Sequence, residues 1–297
     1  MHEVHEVSQV SEVRAADVPV RSTWRASLKL DYTLESQRSV ARYLHQGPLR
    51  ILQSLYPEGD AVCHNVLVHP PSGLVGGDML DMRVTVGSGA HGLVTTPGAT
   101  RFYRSEAGLA TQQVHARVES GARLEWLPLE AIAYNQCDAL NSAVFELAPG
   151  AEMMAWDITA FGLPAADLPY LQGTFRQHLE IPGVWLERGN IDATDSRLMN
   201  SPLGLAGQRC MATLVLASGS AMADERIERA LGSARELLEA SELRLRAGAT
   251  SPHKQVIVLR VLSPVTEPAM QLLRQVWAAW RQEMWGLQGT YPRLWHV

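Results

Sequence analysis

The stretch from His69 to Ser105 reads HPPSGLVGGDMLDMRVTVGSGAHGLVTTPGATRFYRS, and it decides what kind of fold this chain can adopt. Gly73, Gly76, Gly77, Gly87, Gly89, Gly92 and Gly98 stand among short apolar runs, a density that marks forced backbone geometry. Between them Leu80, Met82, Val84 and Val86 alternate with Asp81, Arg83 and Thr85. That period of two is the pattern of a half-buried strand. A polar cassette follows, Thr95-Thr96-Pro97-Gly98-Ala99-Thr100-Arg101-Phe102-Tyr103-Arg104. It carries two cations and an exposed-looking aromatic, with no nucleophile or base beside them. It reads as a surface that holds something, and less well as one that cleaves something.

Outward from this strand, its closing turn recurs. Val86-Gly-Ser-Gly89-Ala90, Val118-Glu-Ser-Gly121-Ala122 and Leu147-Ala-Pro-Gly150-Ala151 share one pattern, with Gly-Ala steps 32 and 29 residues apart (121 − 89 and 150 − 121). Strand-like runs flank each turn, at 80–86 and 91–96, 114–118 and 123–127, 143–147 and 152–158. A period near 30 predicts β-hairpins stacked as in a solenoid. The plainer alternative is that x-Gly-Ala is merely a common hairpin turn. Upstream, 24–34, 38–45 and 49–55 read as strands, and downstream 173–181 and 184–190 read as a hairpin around Pro182-Gly183. Helical signals come late. From Asp224, an apolar stripe runs through Ile227, Leu231, Ala234 and Leu238. A β pair is expected at 241–247 and 255–262. Thr266 then caps a final helix, with Glu267 and Pro268 in its first turn and Leu273, Val276, Trp277, Trp280 and Met284 on one face. The expected fold is therefore mainly β: an elongated stacked β-hairpin or β-solenoid-like body with two C-terminal helices. It is read as one domain over 23–297 behind a disordered tail at 1–22.

Composition narrows the function. Lys plus Arg is 26 and Asp plus Glu is 31, a net charge of −5 over 297 residues. Nucleic-acid binding needs a basic face, so that class is disfavoured. Cys63, Cys137 and Cys210 are odd in number and widely spaced, which points to free thiols in a reducing compartment. The N-terminus lacks the basic and apolar regions of a signal peptide, and no apolar run reaches membrane-spanning length. The expectation is a cytoplasmic protein.

The chemistry-bearing residues are few. Gly73-Leu-Val-Gly76-Gly77-Asp78 lacks the Lys-Ser/Thr of a phosphate-binding loop, so Gly76 and Gly77 are read as a strained turn feeding the next strand. Asp78 and Asp81, with Glu130, could pair for acid–base work or serve as oxygen ligands for a hard cation. A turn aspartate bonding its own backbone, beside a solvent-facing strand residue, is the plainer reading. Cys63, His64 and His69 come nearest to a soft-metal cluster, but their spacing matches no stable chelate. Arg101, Phe102, Tyr103 and Arg104 include residue types that dominate protein interfaces, although an Arg-aromatic pair also stabilises a plain β-surface. Trp277, Trp280, Trp285 and Trp295 crowd the C-terminus, and helical spacing favours core packing for them. The Trp-rich end and the cassette face are nonetheless expected to leave apolar surface for a partner to cover.

Together these residues resemble the urease accessory protein UreD family, called UreH in some organisms. HPPSGLVGGDMLDMRVTV followed by TTPGATRFYRS carries the likeness. So do Gln46-Gly47-Pro48-Leu49-Arg50, Leu124-Glu125-Trp126-Leu127-Pro128, Trp156-Asp157, Phe161-Gly162 and Pro292-Arg293-Leu294-Trp295. The likeness runs from about Trp24 to the end. Leu129 stands where the family usually has Gln, Leu163 where it has Arg, and PAADLPYLQG lacks the usual Gly-Glu step.

The resemblance implies a non-enzymatic, β-rich maturation scaffold that binds UreF, reaches the GTPase UreG through UreF, and docks on apo-urease. It implies help in delivering nickel along an internal channel, with no tightly bound cofactor. On that view Gly76, Gly77, Thr96, Pro97, Arg101, Tyr103 and Arg104 form the family motif or partner surface. Asp78, Asp81 and Glu130 become weak oxygen ligands for nickel in transit. The competing expectations are a β-solenoid hydrolase or lyase using Asp78, Asp81 or Glu130, and a structural β-protein with no metal role.

Overall fold

The structure is a computed structural model and describes residues 23–106 and 108–296; the tail expected at 1–22 lies outside the described residues. Four successive coils follow one course. Their strands are Cys63–Val68, Gly73–Leu74 and Met79–Val86; His91–Thr95, Thr100–Phe102 and Ala110–Val118; Arg123–Leu127, Ala131–Ala133 and Cys137–Leu147; and Glu152–Leu163 leading to Gly173–Ile181. The last long strand of each coil enters a seven-stranded sheet and the first enters a twelve-stranded sheet. Between coils the neighbours are parallel in both sheets. The β-solenoid-like body is thus as expected, with one difference in its unit. Each Gly-Ala turn joins strands in two different sheets, so it is a corner of a coil.

Turn chemistry explains the difference. Ala90, Ala122 and Ala151 each donate a backbone N–H to the residue three earlier, at 3.0, 3.0 and 2.9 Å. Gly89, Gly121 and Gly150 have φ of +72°, +70° and +77°. A positive φ at the third position alone is the type II signature. Two-residue hairpins use the primed turns, whereas type II splays the flanking strands and sends the chain to the opposite sheet. The corners also bond to one another, Gly121 N–H to Gly150 C=O at 3.2 Å.

The Gly76-Gly77 turn has the same form. Asp78 N–H bonds Val75 C=O at 3.0 Å, and Gly77 has φ +87°. A Cβ on Gly77 would stand 2.3 Å from Thr23 Cγ2. The turn also faces another backbone closely: a Cβ on Gly108 would meet Gly77 N at 3.2 Å and Gly76 C at 3.8 Å.

Antiparallel strands close both ends. Arg25–Glu35 pairs in parallel with the first coil, and Arg38–Gln46 and Arg50–Leu55 finish the two sheets on that side. Trp185–Asp192, Cys210–Ser218, Val256–Ser263 and Ala247–His253 finish the other. The last of these begins later than the expected 241–247. There Ser241 Oγ accepts the Leu243 N–H at 3.1 Å, and this local turn displaces the strand start to Ala247.

Besides the short α1 (Ser196–Asn200), two long helices are present, α2 (Asp224–Glu239) and α3 (Thr266–Trp285). Thr266 is not the cap of α3; Val265 holds that position without a side-chain bond. One apolar cluster fills the space between the sheets, and a second lies between the twelve-stranded sheet and α2 and α3. The C-terminal tryptophans belong to the second cluster, which corrects the expectation of an open apolar end. Their indole N–H groups are all satisfied: Trp277 by Glu125 (2.5 Å), Trp280 by Ala230 C=O (2.8 Å), Trp285 by Glu152 (2.8 Å) and Trp295 by Thr95 (2.9 Å). Such a partner lets an indole be buried without loss.

A buried ionic chain fastens α3 to the coils. Arg281, fully buried, makes 3.0 Å contacts with both oxygens of Glu58 and a 3.3 Å contact with Glu125. His64 Nε2 lies 2.6 Å from Glu58, and His91 Nε2 lies 2.7 Å from Glu125. Removing one partner of such a cluster strands a buried charge. Burial pulls the His91 imidazole below its ordinary value, outweighing the opposing bond from Glu125. Glu58 and Glu125 lie below the ordinary carboxylate value: burial opposes this, but His64 and Arg281 outweigh it at Glu58, and His91 and Arg281 at Glu125.

All three shifts mean that the unfolded chain takes up protons the folded chain refuses, so the contribution of these groups to stability falls on acidification. In an Asp157→Asn background, which removes a carboxyl whose raised value of about 6 opposes the trend over the same range, we expect the urea midpoint to decline as pH drops below about 6.5, from His91, and again below about 4.5, from the two glutamates. An unchanged midpoint between pH 7.5 and 5 would contradict this. Gly77→Val should lower the stability by about 1–3 kcal/mol, read by equilibrium urea unfolding at pH 7.5.

Candidate functional site

The cassette does not form one exposed face. Thr96 is buried: its Oγ1 accepts the Leu129 N–H at 2.8 Å and donates to Gly98 C=O at 3.0 Å. That bond uses the backbone of residue 129, so the Leu at this position leaves it intact. Of the two cassette aromatics, Phe102 is fully buried, edge-on to Phe175 at 5.5 Å. It lies inside because Thr100–Phe102 is a central strand between Gly73–Leu74 and Ala131–Ala133. Tyr103 packs on Gly73, whose Cβ would clash with its ring, and lies 4.9 Å from the Tyr134 ring. Arg101 is half-buried; Pro97 and Arg104 are exposed. Exposed apolar side chains lie elsewhere, with Leu44, Leu52, Leu203 and Leu245 the most open among the described residues.

The structure does not gather the acids. Asp78 takes the plainer role, its carboxylate accepting the Val75 N–H at 3.0 Å and the Trp24 N–H at 3.4 Å. Asp81 is buried against Arg25 (2.7 Å) and Gln113 (3.2 Å) on the outward side of its strand. Glu130 lines a groove beside α3 with Glu267, Arg274 and Tyr291. Among the described residues, no three His, Cys, Asp or Glu side chains converge to hold a metal ion. Cys63, His64 and His69 also part company. His64 joins the chain to Arg281, Cys63 faces Asn65 between the sheets, and His69 lines a separate cavity. The three cysteines are free, as expected, and all three are buried.

What the structure does assemble is a polar row through the interior. On the inward face of the seven-stranded sheet, Gln112, Asn141 and Gln177 stand side by side in register. The rows on either side are apolar, Ala110–Ala139–Phe175 and Val114–Ala143–Leu179. Thr100 Oγ1 donates to Gln112 at 3.3 Å, Gln112 to Asn141 at 3.1 Å, and Asn141 to Asp157 of the facing sheet at 3.2 Å. Thr159 and Gln177 also bond Asp157. Farther along, Thr213, which pairs with Asp157 in the strand ladder, donates to Glu187 at 3.1 Å, and Arg260 holds Glu187 at 2.7 Å.

A cavity of about 180 Å³ under Thr96, Pro97, Gly98, Ala99 and Thr100 shares Thr100, Gln112, Trp126 and Pro128 with a smaller one, about 30 Å³, beside Asn141 and Asp157. The row therefore begins at the cassette. Burial pushes the Asp157 carboxyl up to about 6, against three hydrogen bonds that favour its charge and helped by the nearby Glu187.

Sequence inspection missed this row because polar Gln112 and Gln113 made 110–113 look unlike a strand. A signal was present. Gln112 precedes Gly121 by nine residues (121 − 112), and Asn141 precedes Gly150 by nine (150 − 141), so coil registration stacks them.

A carboxylate held near pH 6 inside a core opposes folding wherever it is ionised. Asp157→Asn should raise the melting temperature at pH 8, equivalent to about 1–3 kcal/mol, and by about half as much at pH 5, where the folded carboxyl is protonated but the unfolded one is still ionised. Equal effects at both pH values would show that the charge of Asp157 carries no such strain.

The UreD urease accessory protein family profile matches residues 25–296. The urease accessory protein UreD of Albidiferax ferrireducens is 61% identical over 273 residues, 92% of this chain and 99% of that protein. The UreD of Polaromonas naphthalenivorans is 61% identical over 275 residues, 93% and 100% of the two chains. That of Leptothrix cholodnii is 53% identical over 277 residues, with the same coverage. Among the described residues no helix is long and apolar enough to cross a membrane. With the cassette, the coil corners and the whole matched span in agreement, this chain belongs to the UreD urease accessory protein family.

Proposed function

We propose that this chain is a non-catalytic, cytoplasmic scaffold of urease maturation that passes nickel toward apo-urease along the polar row between its sheets. The observation that carries the reading is Asp157. A fold retains a destabilising carboxylate where function needs it, and this one sits midway along the single polar row described above, bonded by Asn141, Thr159 and Gln177. Neutral amide and hydroxyl oxygens with one carboxylate bind a divalent ion weakly. Weak binding suits an ion that must move on.

The partners are those of the family: UreF, UreG through UreF, and the urease subunits. The surface around Pro97, Arg101, Tyr103 and Arg104, with the Gly76-Gly77 turn behind it, is the docking face at the row's entrance. Asp78 and Asp81 serve that face structurally, through the Trp24 and Arg25 contacts, and Glu130 lies outside the row.

The test is urease activation by NiCl2 at limiting concentration, with apo-urease, a UreF-type and a UreG-type protein. Adding this chain should raise the activated fraction, and co-expression with the UreF-type protein should give a stable soluble complex. Asp157→Asn should preserve the complex and cut activation several-fold. A monodisperse monomer that binds no UreF-type partner and leaves activation unchanged would overturn the reading.

A further inference from the structure

We propose that His69 is the nitrogen ligand that admits nickel, and turns away magnesium, at the mouth of the polar row. This rests on the reading of the row as the path of the ion. His69 lines the 180 Å³ cavity together with Thr96, Thr100 and Gln112, so it stands where the row opens. Its Nε2 is buried and has no hydrogen-bond partner among the described residues. An unsatisfied buried nitrogen is costly and calls for an explanation such as an ion or a water. The ring packs on Trp24 at 5.1 Å between centroids, tilted by 42°. A rotation of a ring that already borders the cavity would present the lone pair to an ion there. Burial pulls its proton affinity down, against the pull of Asp78, and so favours the neutral imidazole that metals bind.

The chemical need is specific. The other side chains lining the two cavities that present lone pairs to an ion offer oxygen, Ser72, Thr96, Thr100, Gln112, Asn141, Ser142 and Asp157, apart from the Met82 thioether, a ligand suited to Cu(I). Oxygen sets suit magnesium and calcium, whereas imidazole favours nickel. A path of oxygens alone would fill with the commoner hard cation. His69 is the one imidazole or thiol lining either cavity. In the step proposed, hydrated Ni²⁺ exchanges one water for the neutral imidazole and releases that water to solvent. No proton or electron is transferred. One nitrogen and several waters make a weak site, as an entrance requires.

Trp24 supplies the reporter, because Ni²⁺ bound to His69 lies close enough to quench its emission. The test uses the full chain with His2→Gln and His5→Gln, which removes the HEVHEV tail as a competing ligand, and titrates NiCl2 alone and then with excess MgCl2. Nickel should quench emission without relief by magnesium, and the quenching should be reduced in Trp24→Phe, where Trp126, which lines the cavity, remains to report. His69→Gln should weaken nickel binding about tenfold or more, and His69→Cys, which restores a soft donor, should recover it. Activation of urease at limiting nickel by the His69→Gln chain should fall several-fold when millimolar magnesium is present and far less when it is absent.

Retained quenching in His69→Gln, or activation equally indifferent to magnesium in both chains, would overturn the assignment of His69 while leaving the scaffold reading intact. A wild-type chain that gives no activation at all would instead remove the scaffold reading. Thermal midpoints matching the parent keep either result from being a folding defect.

Discussion

A left-handed residue at the third position of each corner turn holds the coils in register, and the rest of the molecule depends on that register. Gly89, Gly121 and Gly150 turn the chain from one sheet to the other at the same level each time. Because the corners align, Val86 lies beside Val118, Val84 beside Ala116 and Ala116 beside Phe145, and Met82 beside Val114 and Val114 beside Ala143. A slip of one residue would turn every inward side chain outward. Register also lets polar residues from separate coils meet. Gln112, Asn141 and Gln177 are distant in sequence and touch only because three corners agree.

Much of the architecture was legible in the sequence because it is written in short-range code. The alternation over 80–86, the Gly-Ala repeat and the stripe Ile227–Leu231–Ala234–Leu238 each fix an element within a few residues. The corner was harder to read. Hairpin and coil share the same flanking strands and differ only in turn type, which the dipeptide Gly-Ala does not announce. The start of the strand at Ala247 escaped because Ser241 spends its hydroxyl on a local turn. The candidate site was legible only in its rim. Thr96, Pro97, Arg101 and Tyr103 stand out as residue types, whereas Gln112 and Asn141 look like ordinary surface amides until the coils are superposed. The acids drew attention because carboxylates near glycines look chemical, yet Asp78 is occupied by backbone amides and Asp81 by Arg25.

The two cores divide the labour. Between the sheets, apolar rows enclose one polar row. Between sheet and helices, tryptophans and a five-membered chain of Glu58, His64, His91, Glu125 and Arg281 fix α3 against the coils. Glu125 and His91 point away from the polar row, because Leu124 and Trp126 occupy the inward positions of the same strand. The charged cluster that binds the helix and the row that crosses the interior therefore lie on opposite faces of one β-sheet.

Parallel coils stacked by backbone bonds have no inherent reason to stop, since each finished coil offers the next a template. Here two of the four edge strands, one in each sheet, refuse that role. Arg38–Gln46 runs antiparallel and carries exposed Arg38 and Arg42. Ala247–His253 contains Pro252 and an irregular register between Thr250 and His253. Charge, proline and bulge are the devices by which sheets avoid edge-to-edge growth. The consequence is a filament-like geometry that stops at its own length, because these edges do not present the next coil with a regular template.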